Sequence, residues 1–195
     1  MPAPSVFVFS TLSGLGFGLL FWLGIDPTPP TGLTAFVFFA IAYALSVGGL
    51  ISSTFHLGHP ERAWRALSQW RSSWLSREGV SAILALLFMG LHAISLIFLE
   101  MNATALGLIG AALSLFTVFT TSMIYAQLET VPRWKTPLTP ALYLSFSLAG
   151  GALLSGLVNM AILLLVIAAI FQFIWWQRGD AALSDSGTDL GTALL

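Results

Sequence analysis

Apolar runs of about 20 residues recur along this chain with almost no charge inside them, and that is the length a helix needs to cross a bilayer. Such runs cover residues 5–25, 33–55, 78–99 and 103–125. A longer one, 138–176, has room for two spans; the split is placed at Asn159, giving a tight turn and a short sixth helix. Between the runs stand helix breakers and polar stretches: Asp26-Pro-Thr-Pro-Pro30, the segment from His56 to Arg77, and 127–137. Charged residues are 8% of the chain against roughly 25% in an ordinary soluble domain. The pattern predicts an all-α integral membrane protein, a polytopic bundle of about six transmembrane helices. The tail, 177–195, is rich in Ser, Asp, Gly and Thr and reads as a polar tail or loop.

The N-terminal Met-Pro-Ala-Pro-Ser has no Lys or Arg before its apolar run, so the first run is expected to be a retained helix and not a cleaved signal. Small residues recur at four-residue spacing at Gly14/Gly18 and at Ser147/Gly151/Ser155, a pattern that lets helices approach closely in lipid. The two runs resemble each other, which points to an internal repeat.

Alternating spans place every basic residue on one side: Arg62, Arg65, Arg71, Arg77, Arg133, Lys135 and Arg178. The positive-inside rule assigns that side, with the N-terminus, to the cytoplasm. Trp64, Trp70, Trp74, Trp134, Trp175 and Trp176 belong to the same side and suit an interfacial aromatic belt. No basic block suggests a nucleic-acid partner.

The segment between the second and third spans carries the chemistry. Pro60 suits a first helical position, and Ala63, Leu67 and Trp70 then share a face, with Glu61 and Arg65 one turn apart. This predicts an amphipathic helix lying in the membrane interface; a solvated loop with snorkelling arginines is the alternative. His56 closes the second span and Glu78 opens the third, with Ser76 as a candidate cap and Glu78 in the first turn. Ionisable groups at that depth point to function, because they are costly unless paired. A structural pair, His56 with Glu78 or Glu78 with Arg77, is the other reading.

No Cys is present, so thiolate-bound iron–sulfur clusters, structural zinc and disulfides are excluded from this chain. His92 lies about 20 Å deeper than the His56 end, which His59 shares, so a haem held by two histidines is disfavoured. His92 is expected to be a packed histidine bonded to a neighbouring helix.

His56-Leu-Gly-His-Pro-Glu-Arg-Ala63 and Leu75-Ser-Arg-Glu78 resemble the anchor subunit of the dimethyl sulfoxide reductase family, as do Tyr125, Thr130-Val-Pro-Arg-Trp134 and Thr136-Pro137. The resemblance implies a membrane anchor without haem. Such an anchor exchanges electrons between quinone (menaquinone or ubiquinone) and a ferredoxin-like iron–sulfur subunit bound to a molybdopterin catalytic subunit. By the same resemblance His56 and Glu78 match residues implicated at the quinone site, and the basic helix matches the segment near the iron–sulfur partner. His56 and Glu78 are then the expected proton carriers. Arg62 and Arg65 are candidates to orient a quinone carbonyl or a partner carboxylate, and Tyr125 to donate a hydrogen bond. Family members usually have eight spans, whereas this chain shows six. Partners on the basic, inward side make it more like the anchor of a cytoplasm-facing sulfite dehydrogenase, in a bacterial inner membrane. A purely structural anchor and a small transporter are the rival readings; for a transporter only His92 lies near the midplane.

Overall fold

The computed structural model describes residues 4–54, 60–131 and 133–185, with side chains for 6–53, 64, 65, 67–131 and 133–179. These residues form six α-helices: α1 (Pro4–Ile25), α2 (Gly32–Thr54), α3 (Trp74–Phe98), α4 (Thr104–Ala126), α5 (Leu138–Leu154) and α6 (Val158–Asp185). A 3₁₀ helix, Pro60–Gln69, lies between α2 and α3. Five of the helices are long and apolar enough to cross a membrane. At 17 residues α5 is shorter, about 25 Å by helical rise. Large apolar side chains lie outward on the long helices, such as Phe36, Ile83, Phe98, Ile162 and Phe173, as lipid contact requires.

The chain folds as an alternating bundle around α1, which packs against α2, α4 and α5. α3 lies mainly along α4, and α6 rests on α5. The two runs of small residues prove to be the two halves of one contact. A Cβ at Gly18 would run into the Ser147 carbonyl, and one at Gly151 into the Gly18 backbone. Ser147 donates its hydroxyl hydrogen to Gly14 O at 2.6 Å, and the Trp22 indole donates to Leu148 O at 2.8 Å. Without water as a competitor, close packing and hydrogen bonds of this kind are what hold membrane helices together. Ser155 takes no part; its hydroxyl bonds back to Ala152 O at the helix end.

Three boundaries differ from the sequence expectations. The turn between the last two helices falls at Ser155–Leu157, ahead of Asn159, because Gly156 adopts φ +83° and lets Leu157 N–H bond Ala152 O and Gly156 N–H bond Leu153 O. That is a Schellman closure, which satisfies the last carbonyls of α5. α6 is correspondingly the longest helix, 28 residues, and it continues to Asp185 through the segment expected to be a polar tail from 177. Residues 186–195 lie outside the described residues. α3 begins at Trp74, four residues early, capped by Ser73, whose hydroxyl accepts the Ser76 N–H; Ser76 is therefore not the cap.

The segment between α2 and α3 is wound as a 3₁₀ helix, in which residues three apart, and not four, follow one another along a face; the side chain of Ala63 lies outside the described residues. Leu67 covers Gly79 of α3, while Trp64 and Trp70 stay exposed. Between α4 and α5, Lys135 bonds Glu129 at 2.5 Å and holds that exposed carboxyl below the usual carboxylate range.

Candidate functional site

Because the helices alternate, the ends of α2, α4 and α6 and the starts of α1, α3 and α5 share one end of the bundle, the end that carries the basic residues. Glu78 lies just inside it. With Trp74 as the first helical residue, Glu78 falls in the second turn of α3, one turn deeper than expected, and is 3% exposed. Small residues along that face of α3, Ser81, Ala82 and Ala85, let α4 close over it. Thr121 of α4 donates its hydroxyl hydrogen to Glu78 Oε1 at 2.5 Å. Deeper in the same seam Thr117 donates to Ser81 Oγ at 3.1 Å, and Ser81 and Thr120 stand 3.5 Å apart.

Arg77 is not the partner of Glu78. Its Nε donates to Trp70 O at 3.0 Å and its Nη2 to Arg71 O at 2.7 Å, while the guanidinium lies 4.3 Å from the centre of the Trp74 ring. It ties the end of the interfacial segment to α3. Among the described residues no cation is paired with Glu78. Ser76, two residues away, has a buried hydroxyl with no partner among the described residues.

Tyr125 follows Thr121 by one turn of α4 and so shares its face. Its ring stacks on Tyr143 of α5, with centroids 5.8 Å apart and an interplanar angle of 22°, and meets Trp134 edge-on at 5.5 Å. Tyr125, Tyr143 and Trp134 form one wall of a cavity of about 650 Å³ between α1, α5 and α6. Its polar lining includes Ser10, Thr139, Gln172 and Trp175; the remainder is mostly apolar. Glu78 does not line this cavity; it is bonded to Thr121, one turn of α4 before Tyr125.

Of the residues singled out in the sequence, Glu78 and Tyr125 are thus brought to adjoining turns. Arg65 is not brought to them: it is exposed, with its guanidinium 5.6 Å from the Trp64 ring. His56 and His59 lie outside the described residues, as do the side chains of Glu61 and Arg62. His92 is buried toward the opposite end, against Gly107 and edge-on to Phe39 at 6.1 Å. Backbone groups of Leu23 on α1 and of Ala103 ahead of α4 stand beside its ring, so it packs against neighbouring helices as expected.

Sequence reasoning missed Thr121, Tyr143, Gln172 and Trp175. Thr121 is one of several hydroxyls in α4 and carries no mark of its own. Gln172 does carry one: it is a second amide in the apolar stretch that was divided at Asn159, and an uncharged polar group there needs a protein-lined space.

Among the described residues no cluster of His, Asp and Glu is arranged to hold a metal ion. No solved structure matches the chain. It is 34% identical over 177 residues to a sulfite dehydrogenase subunit of Allochromatium vinosum, an alignment covering 79% of this chain and 54% of that one. The chain therefore spans about half the length of that curated relative. Residues 31–179 match the family model of the DMSO reductase anchor subunit (DmsC), a match that includes α2–α5 and most of α6 with Glu78, Thr121, Tyr125 and Tyr143. Matched over that length and folded as a helical membrane bundle, the chain belongs to the DMSO reductase anchor subunit family.

Proposed function

We propose that this chain is the quinone-reactive membrane anchor of a molybdopterin oxidoreductase, passing electrons between membrane quinone and a ferredoxin-like iron–sulfur subunit. The observation that carries this reading is Glu78: a carboxyl group 3% exposed, inside an apolar bundle, held by a hydroxyl and by no described cation. Burying such a group for structure alone is costly. Quinone chemistry gives it a task. Reducing a quinone adds two electrons and two protons and converts both ring carbonyls to hydroxyls; oxidising a quinol reverses this. The electrons come from or go to the partner's clusters, since a chain with no Cys supplies no thiolate ligands for one. The protons must pass through protein groups at the basic end. Glu78 is one carrier, and His56, whose imidazole can take up and release a proton, is the second. Thr121 fixes the carboxyl group, and Tyr125, one turn further along α4, lines the cavity.

The basic end, placed in the cytoplasm of a bacterial inner membrane by the positive-inside rule, is where the partners dock. Arg65, exposed beside Trp64, is the described cation that would meet a partner's carboxylates, with Arg62 of the same segment as a second candidate by sequence. The relative named as a sulfite dehydrogenase subunit supports a sulfur-compound oxidoreductase as the complex.

Purifying the chain from its native membrane tests this reading. Co-purification of an iron–sulfur and a molybdopterin subunit, with reduction or oxidation of added quinone by the complex, is the expected result. An isolated chain with no partner, or a complex that never exchanges electrons with quinone, contradicts it.

A further inference from the structure

Glu78 and Tyr125 leave the α6 wall of the cavity unexplained. That wall carries an unmet donor: the Trp175 indole N–H is buried and has no hydrogen-bond partner among the described residues. An indole nitrogen can only donate, and a buried one usually finds an acceptor. Gln172, three residues earlier on α6 and so on the same face, lines the same cavity and adds amide donors. The Tyr125–Tyr143 stack supplies a flat aromatic surface, with Trp134 edge-on to Tyr125. Leu15, Leu142 and Leu165 make much of the remaining lining apolar. α1 and α6 both rest on α5, and the cavity lies in the gap between them, where Phe7, Phe146 and Leu165 of its lining are about half exposed.

These features select a ligand class. An acyl chain needs no donors, so it leaves the indole unmet. A sugar or nucleotide needs many more polar partners than this lining offers. A planar ring bearing carbonyl acceptors, with an apolar tail, satisfies both the donors and the apolar walls. The volume, about 650 Å³, falls in the range of roughly 300–1,000 Å³ typical of small-molecule sites.

We infer that the cavity between α1, α5 and α6 binds the ring of a membrane quinone. Trp175 and Gln172 donate to a ring carbonyl, Tyr125 and Tyr143 hold the ring, and the tail leaves between Phe7 and Leu165. The inference rests on the quinone-anchor reading and gives that reading its binding site. It also places the ring one helical turn of α4 from the threonine that holds Glu78.

The test is photolabelling of membranes containing the whole complex with a short-chain azido-substituted quinone, followed by peptide mapping. Saturable label on 6–15, 139–150 and 165–175, displaced by unlabelled quinone, is expected. Saturable label confined to 60–78 keeps the quinone-anchor function and overturns this site. No saturable label anywhere on the chain overturns both. Displacement by added phosphatidylcholine as readily as by quinone makes the cavity a lipid groove and overturns the inference. Trp175→Phe keeps the ring and removes the N–H. It should raise the KM for quinone roughly five- to tenfold, the size of one lost hydrogen bond, with kcat held within about twofold. A KM equal to wild type contradicts the assignment of the indole.

Discussion

Thr121 on α4 and Glu78 on α3 are joined by a 2.5 Å hydrogen bond in which the threonine donates, and this bond couples the packing of two helices to a protonatable group. Both residues are buried; without Thr121 the carboxyl has no other donor among the described residues, whereas Thr121 also stands 2.9 Å from Thr117 O and can donate there.

Removing Thr121 alone should cost more than removing it together with Glu78. Thr121→Val keeps the side-chain shape and leaves the Glu78 carboxyl without its donor, a loss of about 1–3 kcal/mol of stability, read as a lower melting temperature of the chain in detergent. Combining it with Glu78→Leu should recover most of that loss. A double variant as unstable as the sum of the two single ones would contradict the pairing.

The α1–α5 contact makes a sharper prediction about single glycines. Gly18→Leu forces a side chain into the Ser147 carbonyl and should abolish stable folding, seen as loss of the chain from detergent extracts. Gly14→Ala should be tolerated within about 0.5 kcal/mol, because its new methyl group meets only Ser147 Cβ at 4.0 Å. Equal behaviour of the two variants would show that the helices are not packed this way.

The proposed orientation rests on the charge distribution. A reporter fused at Arg178, at the basic end, should read as cytoplasmic in cells expressing the intact chain. Activity of a periplasmic reporter at that position would reverse the proposed docking face.

The sequence was most informative where one physical requirement dominated. Crossing a bilayer needs long apolar runs, so the existence and order of the six helices were plain from the sequence. The end of α5 was not, because Gly156, able to take φ +83°, outranks the polarity of Asn159 as a turn signal. The start of α3 was moved by Ser73, whose capping hydroxyl is indistinguishable in the sequence from those of Ser72 and Ser76. In the site, Glu78 stood out because a carboxyl group at the edge of an apolar span is rare. Its partner did not, since α4 offers Thr117, Thr120 and Thr121 and only the packing angle selects the last. The cavity wall joins residues from α1, α5 and α6 that are far apart in the chain, and no local pattern links Ser10 to Gln172. The family motifs marked the residues of the second-to-third and fourth-to-fifth connections, and the matched family agrees with that reading.

The most direct test of the proposed role is Glu78→Gln in the intact complex, because it keeps size and hydrogen bonding while removing the titratable proton. Electron exchange with quinone should fall tenfold or more, given that a positioned acid or base typically contributes about 10²–10⁴. Activity with a soluble artificial electron carrier, which bypasses the membrane, should stay near wild type, with the partner's metal centres intact. Full quinone-linked activity in this variant would remove Glu78 from the proton path, and a parallel fall in both assays would make it a residue of assembly alone.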